Sequence, residues 1–261
     1  MAVLWIATAI PLPNAIAQPH KWAYDWEDEE RYHEEFHHTY ALAPNGALNL
    51  GNVNGGVKIS TWDRNEVQVE AVKYARTEER LANIEIEVDS RPEELHIKTR
   101  FRNHISNNPG GVRYTLTVPR TVRIEKIDLV NGGLEIEGVH GDVRASLVNG
   151  EVSARGLRGQ VELSTVNGRQ EVTMDGPEVS KPVRLDSVNG RIELSLPPDV
   201  GARVEANTLN GQIDSDFGIE VRRVSLIGHE LEGTLGNGGT EIRLHSVNGS
   251  IALRRAREVA N

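Results

Sequence analysis

The chain has 261 residues, of which 38% are hydrophobic and 5% aromatic, and its formal net charge at pH 7 is −9. This acidic balance argues against nucleic acid or an anionic membrane as the main partner, because both repel a negatively charged surface. The absence of Cys excludes disulfides, thiol catalysis, thiolate metal sites and Cys-linked lipid attachment within these residues. The apolar runs are too short for a transmembrane span.

The first 17 residues are predicted to be a secretory signal peptide. An apolar run over residues 3–10 precedes Ala15-Ile16-Ala17, which fits the small-residue cleavage rule. No Lys or Arg precedes the run, in contrast to most signal peptides. Export predicts a periplasmic or extracellular location. Residues 18–35, which contain seven Asp and Glu, are predicted to be an acidic tether.

The sequence His33-Glu34-Glu35-Phe36-His37 matches the zinc-protease pattern of two His separated by three residues, the first of which is Glu. On a helix, this spacing would place two imidazoles one turn apart. The acidic flank and the alternation of Phe36, His38 and Tyr40 instead indicate an edge strand with polar side chains outward, with adventitious metal binding as an alternative. We therefore expect no catalytic residues, no metal site and no cofactor.

The dominant pattern is Val or Leu followed by Asn-Gly, which occurs seven times. The Asn-Gly pairs are Asn54-Gly55, Asn131-Gly132, Asn149-Gly150, Asn167-Gly168, Asn189-Gly190, Asn210-Gly211 and Asn248-Gly249. From Asn131 to Asn210 the spacings are 18, 18, 22 and 21 residues. Asn tolerates the left-handed backbone region and Gly enters it at no steric cost, so each pair predicts a tight structural turn.

Between the turns, apolar and polar residues alternate, as in Leu134 and Ile136 after one turn and Val143 and Ala145 before the next. Alternation with period two predicts two short strands in each repeat. No repeat has enough apolar residues to form a core alone, so the repeats are expected to stack and bury a shared core. Stacking would align the Asn side chains in a hydrogen-bonded ladder.

Two architectures fit these repeats. One is a β-solenoid with one repeat per coil, and the other is a meander of antiparallel hairpins that closes as a sandwich or barrel. The near-constant period favours an all-β, β-helix-like solenoid of 18–22-residue repeats with Asn-Gly turns. The predicted repeat domain spans residues 36–255, followed by a tail at 256–261. Residues 77–83 are expected to form a helical turn, and residues 175–181 and 216–235 to form loops or extra hairpins.

Outward-facing carboxylates on the repeats raise the alternative of a polysaccharide-active enzyme, because β-helices include such enzymes and glycan cleavage uses paired acids. Glu162 and Glu193 are the acids that this reading would use. Equal spacing on a repeat face is also what a solvated surface gives, so catalysis is the weaker hypothesis.

The segment from Gly51 to Val67 resembles the opening of a bacterial β-strand-repeat domain of unknown function that is catalogued as a "putative adhesin". The later phrases Ser187-Val188-Asn189-Gly190 and Ser246-Val247-Asn248-Gly249 are similar to the repeats of that family. The resemblance covers about residues 36–255. It implies a solenoid-like β fold on exported or envelope-associated proteins, and it implies no catalytic residues.

The leading functional hypothesis is a non-enzymatic, exported envelope protein with a binding, adhesion or scaffold role. Its partner would be an envelope protein or a glycan, contacted through the repeat faces and the two long excursions. One alternative is a periplasmic regulator of envelope-stress signalling, and the polysaccharide-active enzyme is a second. The sequence leaves the oligomeric state open.

Overall fold

The chain folds mainly into β-strands. The computed structural model describes residues 31–102, 110–176, 179–224 and 228–256. The predicted signal peptide, residues 18–30 of the predicted tether and residues 257–261 of the predicted tail lie outside the described residues. The first strand begins at Tyr32, within the range predicted as a tether.

Twenty-one strands and one short helix occupy the described residues. The first part of the chain contains β1 (Tyr32–Ala41), β2 (Ala47–Asn54), β3 (Val57–Trp62), β4 (Glu66–Ala75), α1 (Glu78–Ala82), β5 (Ile84–Arg91), β6 (Glu94–Phe101), β7 (Gly111–Pro119), β8 (Arg123–Asn131), β9 (Leu134–Glu137) and β10 (Val143–Asn149). The second part contains β11 (Val152–Leu157), β12 (Val161–Asn167), β13 (Gln170–Met174), β14 (Val183–Asn189), β15 (Ile192–Leu196), β16 (Ala202–Asn210), β17 (Ile213–Ser215), β18 (Val221–Val224), β19 (Gly228–Leu235), β20 (Thr240–Asn248) and β21 (Ile251–Arg255).

The predicted helical turn is confirmed as α1. Thr77 caps it, because its side chain accepts a hydrogen bond from the backbone N–H of Arg80. Leu81 is the buried residue of this helix. The predicted extra hairpin within residues 216–235 is also confirmed, since β18 and β19 pair antiparallel.

The strands form two sheets. The ten-stranded sheet has the order β1-β4-β7-β3-β9-β11-β13-β15-β21-β17, and the eleven-stranded sheet has the order β18-β19-β16-β20-β14-β12-β10-β8-β2-β6-β5. Successive repeats pair in parallel and in chain order from β8 to β14 in one sheet and from β9 to β15 in the other. Each Asn-Gly phrase of this region therefore ends a strand of the eleven-stranded sheet and leads into the ten-stranded sheet.

The predicted β-solenoid is wrong. A stack of one repeat per coil requires parallel strands in chain order throughout, whereas both sheets here are open and mixed and depart from chain order outside β8 to β15. Antiparallel pairs form at the edges, between β1, β4 and β7, between β5 and β6, and between β16, β19 and β18. Strand β20 also lies between β14 and β16, which precede it in the chain. The period specifies a strand–turn–strand unit but not which units pair with each other. The two open sheets pack as a two-layered, sandwich-like arrangement.

The core lies between the two sheets as one continuous apolar cluster. Alternate residues of each strand are buried, such as Leu48 and Leu50 on β2 and Ile59 on β3. Because side chains of a strand alternate between its faces, the intervening residues point outward into solvent. Each sheet therefore presents one broad outer face, and these two faces are the candidate functional surfaces.

Candidate binding surface

The Asn residues of the seven phrases form a ladder along the edge where the chain leaves the eleven-stranded sheet. The Nδ2 atom of Asn149 donates to Oδ1 of Asn131 at 2.9 Å, and Asn167 donates to Asn149 at 2.9 Å. The same Nδ2-to-Oδ1 bond runs from Asn210 to Asn248, from Asn248 to Asn189 and from Asn189 to Asn167. At the other end of the ladder Asn131 donates to Asn54, and these four distances are 2.8–2.9 Å. Asn54 closes the ladder by donating to the carbonyl of Gly110 at 3.0 Å.

A second set of bonds runs in the opposite direction along the same edge. The backbone N–H of Gly132 donates to the carbonyl of Asn149, and that of Gly150 donates to the carbonyl of Asn167, each at 3.0 Å. Each of the five interior turns thus accepts a side-chain bond from one neighbour and a backbone bond from the other. These bonds fix the register of the seven strands, with Asn opposite Asn in each pair.

The Gly of each phrase is required by close packing rather than by an unusual backbone angle. Only Gly55 and Gly168 of the seven have positive φ, at 110° and 148°. A Cβ atom on Gly150 would lie 2.0 Å from the carbonyl oxygen of Gly132, and one on Gly168 would lie 1.8 Å from that of Gly150. The turns are therefore stacked so closely that no side chain fits between them, which corrects the conformational reason inferred from the sequence.

The residue before each Asn forms a row of apolar side chains, here called the valine row, of which six are exposed and Val247 is half-buried. Its members occupy neighbouring strands in the order Val53, Val130, Val148, Val166, Val188, Val247 and Leu209. Val148 is 41% exposed and Leu209 is 50% exposed, although both are apolar. Seven strands about 4.8 Å apart give the row a length of roughly 29 Å. Contiguous apolar surface of this kind marks interaction sites on soluble proteins.

A shallow groove of about 460 Å³ follows the middle of the valine row. Its floor includes Val130, Val148, Val166, Val188 and Val247. One side is formed by the outward residues two positions earlier on the same strands, namely Asp128, Ser146, Ser164, Asp186 and His245. The surface is thus an apolar row with the amides of the Asn ladder on one side and short polar side chains on the other.

Charged side chains form a further row beyond the groove. Arg144 Nη2 lies 2.9 Å from Glu162 Oε2 on the neighbouring strand, and Arg184 Nε lies 2.8 Å from Asp186 Oδ2. The hydrogen bond to Asp186, followed by its negative charge, raises the pKa of Arg184. Most of these charges are therefore neutralised in pairs, which leaves the apolar row as the distinctive feature of this face.

A second polar cluster lies at the other turns of the repeats. Asp142 Oδ1 accepts from Lys181 Nζ at 2.7 Å and from the backbone N–H of Gln160 at 2.9 Å. Partial burial opposes ionisation of Asp142, but these two donors outweigh it and hold the pKa of its carboxyl below the usual value. Arg158 holds the pKa of Asp175 low in the same way, with Arg158 Nη2 at 2.9 Å from Asp175 Oδ2. The Asp142–Gln160 and Arg158–Asp175 contacts join neighbouring repeats, and the Asp142–Lys181 pair reaches to the repeat after next.

The predicted edge strand that carries His33 and His37 is confirmed. Both residues lie on β1, the outermost strand of the ten-stranded sheet, and not on a helix. His37 Nε2 contacts Glu35 Oε2 at 3.2 Å on the exposed face. Within the described ranges, no group of three or more His, Asp or Glu is arranged to hold a metal ion. The strand conformation removes the one-turn spacing that the zinc-protease pattern needs.

The acids considered for glycan cleavage do not face each other. Glu162 lies on β12 of the eleven-stranded sheet, whereas Glu193 lies on β15 of the ten-stranded sheet, with the core between them. Glu193 is instead the cross-strand neighbour of Glu171, and each forms an ion pair with the Arg two residues earlier, in the turn before its strand. The geometry therefore does not bring together the pair that the enzymatic hypothesis uses.

Sequence reasoning missed the valine row, although a signal for it was present. Leu147 is buried and Val148 follows it directly on a strand, so the two side chains must point to opposite faces. The same parity holds in every copy of the phrase. An apolar residue at the outward position of seven repeats is the signal that the sequence offered.

Comparison with known proteins gives likenesses of structure only. No family model matches the chain, and no curated protein matches its sequence. A crystal structure described as a "putative cell adhesion protein" from Clostridium sporogenes is 15% identical, with a TM-score of 0.51 over 85% of this chain and 100% of that one. A "putative adhesin" from Bacteroides fragilis is 12% identical, with a TM-score of 0.29 over 85% of this chain and 97% of that one. Another "putative adhesin", from Parabacteroides distasonis, is 8% identical, with a TM-score of 0.23 over 84% of this chain and 97% of that one.

The last two TM-scores are too low to support an argument, whereas the Clostridium structure shares the fold. In the part of the chain that the structure describes, no helix is long and apolar enough to cross a membrane. The resemblance to the adhesin-type β-strand-repeat proteins that the sequence suggested is confirmed at the level of the fold.

Proposed function

We propose that this chain is a non-enzymatic, exported protein of the cell envelope that binds a protein partner through the valine row. The observation that carries the proposal is the contiguity of the row, which places seven apolar side chains on seven neighbouring strands of one outer face. Exposing these side chains to water is unfavourable unless a partner covers them.

The composition of the surface favours a protein over a glycan. Glycan sites commonly use flat aromatic rings, and the residues that line the groove include no Phe, Tyr or Trp. An apolar centre with polar rims is instead the usual anatomy of a protein–protein interface. Asp128 and Asp186 on one rim and the Asn amides on the other supply hydrogen-bonding groups for an amphipathic partner segment.

The structural likeness supports an envelope role. The Clostridium protein is described as a "putative cell adhesion protein", and its fold matches most of this chain. At 15% identity this likeness concerns the fold. Adhesion, and export directed by residues 1–17, are therefore parts of the proposal.

The test measures binding of the labelled, purified protein to isolated cell envelopes. The variant V148D/V166D places two charges in the valine row, and the matched control S153D/S195D places two charges on outward positions of the ten-stranded sheet. Binding is expected to fall at least about tenfold in the first variant, because a buried unpaired charge costs more than 1.4 kcal/mol, and to persist in the second.

Treatment of the envelopes separates the two classes of partner. Protease treatment is expected to abolish binding, and periodate oxidation of glycans is expected to leave it unchanged. Binding that survives protease and is lost after periodate would overturn the choice of a protein partner. Equal binding by wild type and V148D/V166D, or no binding by the wild-type protein, would overturn the proposal as a whole.

A further inference from the structure

Strand β1 is an unusually long exposed edge. It pairs with β4 on one side over ten consecutive residues, in a register without a break. Within the described ranges, no strand pairs with its other side. The outermost strands β17 and β18 contain only three and four residues. Natural proteins protect sheet edges with short strands, bulges, Pro or charged side chains, especially Lys. Strand β1 is long, has no bulge, Pro or Lys, and carries its acidic charges at Glu34 and Glu35.

The sequence of β1 is self-complementary about Phe36, because Tyr is matched by Tyr and Glu is matched by His at equal distances from it. Tyr32 and Tyr40 lie four residues from Phe36 on either side, and Glu34 and His38 lie two residues from it. Glu35 and His37 are its immediate neighbours. This order places carboxylates before the centre of the strand and imidazoles after it. A self-complementary pattern of this kind is what a twofold contact between identical strands requires.

We propose that β1 pairs antiparallel with β1 of a second copy of this chain, in a register centred on Phe36. A twofold axis at this position places Glu34 opposite the partner's His38 and Glu35 opposite the partner's His37. Because each contact occurs twice, the interface contains four Glu–His pairs. A Glu directly opposite a His can form a hydrogen bond across the strands, which becomes an ion pair when the imidazole is protonated. Tyr32 faces the partner's Tyr40, which adds an aromatic pair at each end.

The pairing register is specified by the same residues. In an antiparallel pair, two directly opposed residues either both point their backbone N–H and C=O groups toward the other strand or both point them away. Registers that would oppose one residue of each kind are therefore not allowed. The next register in one direction places Glu35 opposite the partner's Glu35. The next in the other direction places His37 opposite the partner's His37. Of these three registers, only the one centred on Phe36 places Glu opposite His.

The surroundings of β1 leave these groups available to a partner. Glu35 and His37 contact each other on the outward face and are 64% and 57% exposed. Glu34 accepts from Lys73 at 2.7 Å but remains 58% exposed. The other long outermost strand, β5, carries Glu85, Glu87 and Asp89 on one face, so self-pairing would oppose like charges. The charge pattern therefore selects β1 rather than β5 for association.

Sedimentation of the purified protein over a range of concentrations tests the proposal. The wild-type protein is expected to form a dimer. The variants H37E/H38E and E34K/E35K are each expected to dimerise at least about tenfold more weakly, because the first opposes Glu with Glu, the second opposes Lys with His, and neither keeps a Glu–His pair. An equimolar mixture of the two variants is expected to restore the dimer. The control S90E adds charge to β5 and is expected to dimerise like the wild type.

A single thiol reports the register, since the chain has no Cys of its own. In the proposed register F36C lies opposite its own copy and is expected to form a disulfide-linked dimer with copper phenanthroline as oxidant. H33C faces the partner's Thr39, with the two thiols about 20 Å apart, and is expected not to cross-link. A monomeric wild type, a mixture that stays monomeric, or equal cross-linking of F36C and H33C would overturn the proposal.

Discussion

The hydroxyl oxygens of Thr99 and Tyr114 lie 2.8 Å apart in the layer between the two sheets. Thr99 belongs to β6 of the eleven-stranded sheet and Tyr114 to β7 of the ten-stranded sheet, so this hydrogen bond connects the layers. Tyr114 is 2% exposed. Burial raises the pKa of its phenol to about 12, and the hydrogen bond to Thr99 opposes that rise.

The free energy of unfolding is predicted to fall between about pH 10 and pH 12. The unfolded Tyr114 ionises near pH 10, whereas the folded phenol stays neutral until about pH 12, so the stabilisation is complete below pH 10 and is lost across this window. The loss is on the order of 2 kcal/mol. Urea unfolding at a series of pH values measures it, and Y114F should remove the Tyr114 part of the pH dependence. An unchanged pH profile in Y114F would contradict the prediction.

Replacement of Asn149 by Ala is predicted to destabilise the fold by about 1 kcal/mol. Asn149 donates to Asn131 and accepts from Asn167, so the variant removes two bonds and interrupts the ladder. The cost stays modest because these side chains are exposed and water replaces the lost partners. Chemical denaturation measures the change. Ser146→Ala, on the same strand and outside the ladder, is the control, and an equal effect of both substitutions would exclude a contribution from the ladder.

Replacement of Gly150 by Ala is predicted to cost about 3 kcal/mol or more, or to prevent folding. The new Cβ would lie 2.0 Å from the carbonyl oxygen of Gly132, and that backbone is fixed by the neighbouring turns. Gly51→Ala is the matched control on a strand of the same sheet, since its Cβ would meet nothing nearer than Lys98 Cγ at 3.9 Å. Its effect is expected to stay within about 0.5 kcal/mol. Similar melting temperatures for both variants would refute the close-packing account of the turn glycines.

Asp142 is predicted to contribute to acid sensitivity. Its pKa is lowered in the folded state, so its stabilising contribution is present above the pKa of the unfolded carboxyl and is lost as the pH falls through the folded value. Unfolding followed from pH 7 into the acid range should therefore show a smaller loss of stability in D142N than in the wild type. Identical slopes in D142N and wild type would contradict the role of the Lys181 pair.

The sequence predicted the strand–turn units well, because their signals are local. Alternation in residues such as Val143 and Ala145 assigns a face to each side chain, and the recurring Asn places equivalent turns at one phase. The edge strand at Phe36 and the helical turn after Thr77 follow from equally local patterns. The residues that form the candidate surface could therefore be located along the chain before their neighbours were known.

The pairing of the units could not be predicted, because many strands offer nearly the same edge. Ile242 and Leu244 on β20 alternate just as Val183 and Leu185 do on β14, so the pattern gives no preference for chain order. Some antiparallel pairs at the sheet edges join strands that are distant in sequence, such as β4 with β7. The outward position of Val148 was accessible from its parity, but its meaning required seven strands to be placed side by side.

The position of β20 and β21 between neighbouring repeats has a consequence for synthesis on the ribosome. Strands β16 and β17 join their sheets through β20 and β21, which the chain supplies some thirty residues later. A nascent chain that ends before residue 240 can assemble the earlier repeats, but β16 and β17 have no parallel neighbour to join at that stage. The last repeat, β20 and β21, therefore completes both sheets only after β16 and β17 have been synthesised. Loss of these C-terminal strands should also detach β16 and β17 from their parallel neighbours.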